Sequence, residues 1–303
     1  MIAPAVLRGT ILALACAIVA PAAAQEADGL DALRGYALAL TNAARAEAGL
    51  DALGPGPILD EAAQGHAEDM AGREYYDHVA PDGTTPADRF RAAGGSRWAL
   101  SGENIARCSG CASPPDRARV EAFHDGWMQS PEHRDNVLGA GFDRMGFGIA
   151  GEGDRIYAVQ TFAGPGDGGD RPALDVVGLR AAALRAVNGH RKDAELAPLE
   201  PDAALDAVAE RVLDARLSGE DVPENLFGLL PEGAGGWTGL AVRSASRGGA
   251  GGALGGKDVA AFVDGWGETD APLGAAGAGH LGFAAAARDD GRATAVAVFG
   301  TRG

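Results

Sequence analysis

The apolar positions near the start of the chain recur with the period of an amphipathic helix. From Leu30 to Leu50 they return every three or four residues, and a second such stripe runs from Leu59 to Met70. This spacing places apolar side chains on one face of a helix, so two helices are predicted. His66 lies within the second stripe, and we interpret it as a core histidine rather than a ligand.

Two further helices and two strands are indicated downstream. Thr85 followed by Pro86 is typical of a helix start, because Thr caps the helix and Pro fits its first position. Apolar residues between Val120 and Trp127 predict another helix, with His124 in a packing or rim position. The segments "MGFGIA" and "IYAVQTFAG" then alternate as two strands do, separated by the turn-rich "GEGD".

The second half of the chain resembles a repeat of the first. Landmarks of the first helices return 146 residues later, as in the step from Asn42 to Asn188. Phe123 and Trp127 have counterparts in the pair Phe262 and Trp266, and "YAVQTFAG" has one in "TAVAVFGT". Because both asparagines lie in otherwise apolar helices, we expect each to bond to backbone.

Polar segments of the first half are missing from the second. "YYDHVAPDGTTP" has no counterpart, and "SPEHRDN" is replaced by "TDAPLGA". His190 and His280 have no acidic partners in matching motifs, so we interpret both as incidental. The Gly-rich stretch from Ser244 to Gly256 is predicted to be a flexible loop. The expected domains are therefore 1–24 (signal peptide), 28–164 (first domain), 165–172 (Gly/Pro-rich linker) and 173–303 (degenerate second domain).

The N-terminus has the pattern of a secretory signal peptide. Arg8 precedes the apolar run Ile11–Val19, and three alanines precede Gln25. The pattern predicts a secreted or periplasmic protein, with no transmembrane segment after cleavage. Lipoprotein processing at Cys16 is the alternative, although Ala13 stands where a good lipobox has Leu.

Charge and cysteine content narrow the classes of partner. The 303 residues carry a formal net charge of −16 and no Lys/Arg cluster, which argues against nucleic-acid binding. Only Cys108 and Cys111 remain after cleavage. Outside the cytoplasm two close cysteines most often form a disulfide. A redox or zinc Cys-x-x-Cys site is the alternative, but redox cysteines of that kind open a helix, and Pro114-Pro115 follow here.

Three polar segments carry the candidate chemistry, namely "YYDHVAPDGTTP", "SGEN" and "SPEHRDN". Each is expected at the edge of an element. Ser130 is expected to cap a helix that begins at Pro131, which places His133 in its first turn. There the helix dipole opposes a positive imidazole, so a neutral ring able to accept a proton or bind metal is predicted.

The motifs of residues 33–164 resemble the CAP superfamily, also called SCP/TAPS or PR-1-like, in its bacterial secreted branch. The resemblance rests on "LTNAARAEAGLDAL", "AAQGHAEDMAGREYYDHVAPDGTTPADRFRAAG", "SGENIA", "GWMQSPEHRDNVL" and "MGFGIA", in this order. It implies an α+β fold, an α-β-α sandwich, here in two tandem copies of which the second is degenerate. It also implies a cleft of two histidines and two acids that binds a divalent metal in some members.

The family's cleft residues fall on His78, Glu103 and His133, and its second acid falls on Ser130. The chain therefore keeps a His/Glu/His set, with Glu132 nearby. Such a set could hold zinc, or Glu103 could orient a histidine, or the cluster could simply pin loops to the sandwich. The resemblance favours binding of a small molecule, a lipid or a cell-envelope component over turnover. A zinc-dependent hydrolase and a two-domain interaction scaffold are the alternatives.

Overall fold

The computed structural model describes residues 29–166, 173–267, 273–274 and 277–303. The predicted signal peptide and most of the predicted linker lie outside the described residues. Within the described residues, no helix combines the length and the apolar character needed to cross a membrane.

The first half forms helices around a four-stranded sheet, two of whose strands the hydrophobic pattern predicts. The strands run in the order β1-β3-β4-β2, with β3 and β2 antiparallel to β4 on either side of it and β1 parallel to β3. The helices are α1 (Leu30–Glu47), α2 (Pro57–Arg73), α3 (Pro86–Ala92), α4 (Arg117–Gln129) and α5 (Pro131–Val137), and the strands are β1 (Gly54–Pro55), β2 (Leu100–Ser109), β3 (Arg144–Glu152) and β4 (Arg155–Gly164).

Helices cover both faces of this sheet, so the first half is an α-β-α sandwich. Phe147 of β3 is buried with the apolar residues of α1 and α4. On the opposite face α2 lies directly against the backbone of β3, where a Cβ at Gly148 would come within 2.3 Å of the Gln64 nitrogen. The small residues of β3 therefore set how closely α2 approaches, because any side chain there would push the helix away.

The second half repeats this architecture among the described residues. Its sheet has the order β5-β7-β8-β6, which matches the first sheet strand for strand. The elements are α6 (Val176–Asp193), β5 (Glu200–Pro201), α7 (Ala203–Ser218), a 3₁₀ turn (Leu226–Leu229), β6 (Trp237–Arg247), α8 (Gly256–Gly267), β7 (His280–Ala287) and β8 (Ala293–Arg302). The loop predicted from Ser244 is shorter than expected, because Ser244 to Arg247 pair with β8 as the end of β6.

Hydrogen bonds repeat with the same spacing as the sequence landmarks. Asn42 exchanges two bonds with the backbone of Leu53, at 3.0 and 2.8 Å, and Asn188 makes the same pair with Leu199 at the same distances. The expectation that both asparagines bond to backbone is thus confirmed. Each fixes the chain that enters the short edge strand, so the two halves share a folding device as well as a topology.

A buried arginine recurs in the same way. Arg45 and Arg191 are 1% and 0% exposed, and each donates Nε to a backbone carbonyl six residues ahead at 2.8 Å. Their Nη atoms donate to further carbonyls. Burial lowers the pKa of both guanidinium groups from its ordinary value, because the charged form loses hydration. Carbonyl oxygens therefore stand in for water around each charge, a pattern that the apolar periodicity alone does not predict.

Backbone hydrogen bonds join the two halves. The Gly249 nitrogen donates to the Trp98 carbonyl at 2.8 Å, and the Gly251 nitrogen donates to the Pro165 carbonyl at 2.8 Å. A Cβ at Gly248 would lie 2.5 Å from the same Trp98 oxygen. The Gly-rich segment is thus required for close approach, which explains its composition better than flexibility does.

Candidate functional site

Glu103 lies at the centre of a polar cluster on β2. Contrary to the expected position at the edge of an element, Glu103 and Asn104 stand in the middle of this strand, opposite Thr161 and Gln160 of β4. The sequence interpretation failed here because "SGENIARCS" lacks the strict alternation of a half-exposed strand. The Glu103 side chain is only 3% exposed, so its charge requires partners.

Both carboxylate oxygens of Glu103 have nitrogen partners. The His78 Nδ1 lies 2.8 Å from Oε1, and Nη2 of Arg89 donates to Oε2 at 2.8 Å. Arg89 also donates to the carbonyls of His78 and Thr84, at 2.8 and 3.1 Å. The guanidinium therefore ties the His78 loop and α3 to β2 through one planar group.

Arg89 was not among the residues singled out from the sequence. It lies on α3, whose start at Thr85-Pro86 is confirmed by a capping box: Asp88 N donates to Thr85 Oγ1 and Thr85 N donates to Asp88 Oδ2. The cap fixes the helix that presents Arg89 to Glu103. The only signal in the sequence is a basic residue one turn after this cap, which by itself resembles any solvent-exposed arginine.

His66 occupies the buried side of the same cluster. It is 1% exposed, its Nε2 lies 3.0 Å from the Asp77 carbonyl and 3.9 Å from Glu103 Oε1, and Tyr75 Oη lies 3.3 Å from its Nδ1. Burial is the main cause that lowers the pKa of His66. The geometry agrees with the core histidine expected from its apolar helix face. His66 and Arg89 also line an open hollow of about 390 Å³ between α2 and α3.

His133 lies beside β2 because two asparagine side chains join its helix to that strand. The Asn104 amide donates to the His133 carbonyl at 3.0 Å, and the Asn136 amide donates to the Glu103 carbonyl at 3.2 Å. Burial and then the nearby His78 lower the pKa of His133. This direction agrees with the neutral ring expected. The predicted cap is only partly right, because Ser130 is the N-cap residue of α5 but its side chain makes no capping bond.

His78 is the more exposed member, with 43% of its side chain accessible. The hydrogen bond to Glu103 is the largest cause that raises the pKa of His78 above its ordinary value. With Arg89 already paired to Glu103, the pair of side chains has no net negative charge. The cluster can therefore present imidazole nitrogens to a ligand, and protonation of His78 makes it positive.

The donor set does not fit a zinc ion. Among the described residues, no group of three or more His, Cys, Asp or Glu side chains is arranged to hold a metal. The chemistry gives the reason, since Glu103 has one oxygen on His78 and the other on a guanidinium cation. A cation bound to Glu103 would have to displace or approach Arg89, and like charges at that distance oppose it. Glu132, the nearby acid, is exposed on α5.

The remaining singled-out residues lie elsewhere. Cys108 and Cys111 form a disulfide at the end of β2, as expected. His124 is buried on α4 in a packing position. His280 packs edge-on against Trp237, with ring centroids 5.3 Å apart. His190 is not without a partner, contrary to expectation: its Nε2 lies 2.8 Å from Asp264 Oδ1, because α6 and α8 pack together in the second half.

Comparison with known proteins gives a family match in the first half of the chain. Residues 38–162 match the model of the CAP, or cysteine-rich secretory protein, family. The Bacillus subtilis (strain 168) protein YkwD is 33% identical over 114 residues, which are 38% of this chain and 41% of YkwD. The membrane protein YlbC of the same organism is 32% identical over 125 residues, 41% of this chain and 32% of YlbC.

Solved structures include an extracellular SCP-domain protein from Bacillus anthracis str. Ames, with a TM-score of 0.38 and 28% identity over 45% of this chain and 41% of that one. The chain spans less than half the length of the curated relatives it matches. Residues 38–162 are a CAP domain with bacterial homologues, as the motifs indicated. The match ends before the second half, whose likeness to the first rests on strand order and repeated hydrogen bonds.

Proposed function

We propose that this chain is an exported protein whose CAP domain binds a ligand at a cleft formed by His78, Glu103 and His133. The bound partner is a small molecule, a lipid or a cell-envelope component. The proposal includes the domain limits 28–164 and 173–303, joined by the linker 165–172, and a signal peptide over residues 1–24. N-terminal sequencing of the exported protein, with Gln25 as the expected first residue, tests the last point.

The observation that carries the proposal is the double pairing of Glu103. A general base must be within reach of the water or substrate whose proton it takes. Each Glu103 oxygen already accepts a hydrogen bond, one of them from the permanent cation Arg89, and the side chain is 3% exposed, so water has little access to the remaining lone pairs. The same pairing disfavours the hydrolase alternative, in which Glu103 would activate water. It supports Glu103 as the residue that holds His78 in place.

The ligand chemistry follows from what remains accessible. His78 has Nδ1 on Glu103, which leaves Nε2 as its outward polar atom, and His133 is half-buried beside it. His78 with a raised pKa and His133 with a lowered pKa offer a donor and an acceptor near neutral pH. We expect a ligand with a hydroxyl, carboxylate or phosphate group placed between two imidazoles.

Mass spectrometry of small molecules and lipids that co-purify with the mature protein tests this function. His78→Ala and His133→Ala are expected to lose the bound species together. His190→Ala removes a half-exposed histidine of the second half and is the matched control, expected to retain it. Loss in neither of the two site variants, with the fold intact by circular dichroism, would refute the proposal.

A second candidate, a two-domain interaction scaffold, is favoured by one observation. The second half keeps the buried arginine and the asparagine clamp that hold the fold, yet lacks counterparts of His78 and His133. A domain that keeps its fold but not the cleft histidines is expected where the fold serves to present a surface. This reading predicts that binding of a macromolecular partner survives His78→Ala and His133→Ala but is lost when residues 173–303 are removed.

A further inference from the structure

A cationic cavity lies where the two halves of the chain meet. Its volume is about 350 Å³, in the range of small-molecule sites. Both halves contribute to its walls, and none of its lining residues is acidic. The residues that matter for its chemistry are Arg97, Trp98, Arg216, Ser246, Arg292 and Thr294.

Two of these arginines share one indole ring. The Arg97 guanidinium carbon lies 4.1 Å from the centroid of the Trp98 ring, and that of Arg292 lies 5.0 Å from the same centroid. Each contact is a favourable cation–π interaction. The shared ring places the two guanidinium carbons, one from each half, no more than about 9 Å apart, and an anion between two like charges is stabilised by both.

No carboxylate of the described chain forms an ion pair with any of the three arginines. Arg292 Nη2 donates instead to the Arg216 carbonyl at 3.1 Å and to Ser246 Oγ at 3.4 Å, and its buried Nε has no hydrogen-bond partner among the described residues. The acidic pair Asp289 and Asp290 lines the neighbouring cavity beside Phe90. Among the described residues, the positive charge of this cavity is therefore not neutralised by a nearby carboxylate.

Hydroxyl groups supply neutral donors in the same cavity. Ser246 Oγ and Thr294 Oγ1 lie 2.8 Å apart on the paired strands β6 and β8. One hydroxyl donates to the other, so one hydroxyl hydrogen remains to donate to a ligand. Guanidinium forks combined with hydroxyl donors are the set that proteins use for phosphate oxygens.

The cavity is fixed by the junction itself. Trp98 is held by the bond from the Gly249 nitrogen to its carbonyl, and Gly248 leaves no room for a side chain at this point. Arg97 and Trp98 come from the CAP half, whereas Arg216 and Arg292 come from the second half. The site therefore exists only when both halves are present and docked.

We propose that this cavity binds an oxyanion of the phosphate class, carried by a small soluble molecule or by a lipid headgroup. The bound oxygens accept from Arg97, Arg216 and Arg292 and relieve the repulsion across Trp98. This site is separate from the His78 cluster and does not rest on the function proposed for that cluster. In this proposal the second half, which lacks counterparts of His78 and His133, supplies Arg216 and Arg292 to a binding site.

Isothermal titration calorimetry of the mature full-length protein with inorganic phosphate, at low ionic strength, tests the proposal. Arg97→Ala and Arg216→Ala are suited variants because both side chains are exposed. Each is expected to raise the Kd for phosphate at least about tenfold, equivalent to about 1.4 kcal/mol. Arg185→Ala, an exposed arginine on α6 outside the cavity, is the matched control and should bind as the parent does. Added NaCl should weaken binding by screening.

The source of the oxyanion is distinguished with vesicles. Co-sedimentation with phosphatidylglycerol but not phosphatidylcholine vesicles, competed by phosphate, indicates a lipid headgroup. Phosphate binding without vesicle binding indicates a soluble ligand, and either result supports the cavity. Absence of phosphate binding by the parent protein, or equal binding by the parent, Arg97→Ala and Arg216→Ala, would overturn the proposal. Urea unfolding midpoints of the variants establish that the fold is retained.

Discussion

Replacement of Arg89 by Met is the sharpest probe of the cluster around Glu103. Arg89 is 12% exposed in its side chain and makes hydrogen bonds to Glu103, to the His78 carbonyl and to the Thr84 carbonyl. Met fills a similar volume but donates nothing. The substitution therefore leaves a nearly buried carboxylate with a single hydrogen-bond partner, His78. It also removes one donor from the carbonyls of His78 and Thr84, although the Thr84 carbonyl still accepts from the Ala80 nitrogen.

The expected loss of unfolding free energy for Arg89→Met follows from these contacts. Removing one partner of a buried ion pair costs about 3–5 kcal/mol. His78 still bonds to Glu103 and water can enter the hollow beside His66, so the lower end, about 3 kcal/mol of unfolding free energy, is expected. Arg89→Lys should recover about 1 kcal/mol of this loss, because an ammonium keeps the charge but cannot span all three acceptors.

Urea unfolding followed by circular dichroism measures the loss. Arg91→Met is the matched control, since Arg91 lies on the same helix and its ion pair with Asp88 is half-exposed, and it should cost less than about 0.5 kcal/mol. In a double-mutant cycle with Glu103→Gln, the coupling between positions 89 and 103 should be about 2 kcal/mol. A loss for Arg89→Met no larger than that for Arg91→Met would show that the Arg89–Glu103 pair does not stabilise the fold.

Three other outcomes are expected. Gly148→Ala should destabilise the fold by about 1–3 kcal/mol because its Cβ would meet the α2 backbone. Gly65→Ala, at a helix position where the new Cβ would have no atom within 4 Å, should stabilise it by up to about 1 kcal/mol. Thermal unfolding distinguishes the two variants, and equal effects would contradict the close packing of α2 on β3. Asn188→Ala should cost about 2 kcal/mol in urea unfolding, because two backbone groups lose their partners. His66 has a folded-state pKa below its ordinary value of about 6.5, so the unfolded state binds the proton more readily and stability should fall as pH drops below about 6.5. His66→Gln should flatten that part of the pH profile, and an unchanged slope would count against a buried neutral ring.

The elements of the first half could be predicted because their signals are local. The apolar stripe of α2 and the Thr85-Pro86 start of α3 depend on residues within one or two turns. The strand β2 was missed because its Gly-Glu-Asn segment is buried by partners far along the chain, such as Arg89 and Asn136. The local hydrophobic pattern does not show which polar side chains will pair with residues outside the segment.

The site residues likewise differ in whether a local sequence motif marks them. His78, Glu103 and His133 were singled out from motifs, and the structure pairs the first two directly while the third approaches through its backbone carbonyl. Arg89 changes the chemistry of the cluster but has no motif of its own. Arg97 lies more than 100 residues before Arg216 and Arg292, so their common cavity is seen only when the two halves are docked.

The central claim is that His78 and His133 face one ligand. The most direct measurement is an NMR titration of the histidine side chains with the species found to co-purify with the protein. The ring signals of His78 and His133 are expected to shift together with one Kd, while those of His190 stay unchanged. Saturation of the protein with ligand while both of the first two signals remain in place would contradict it.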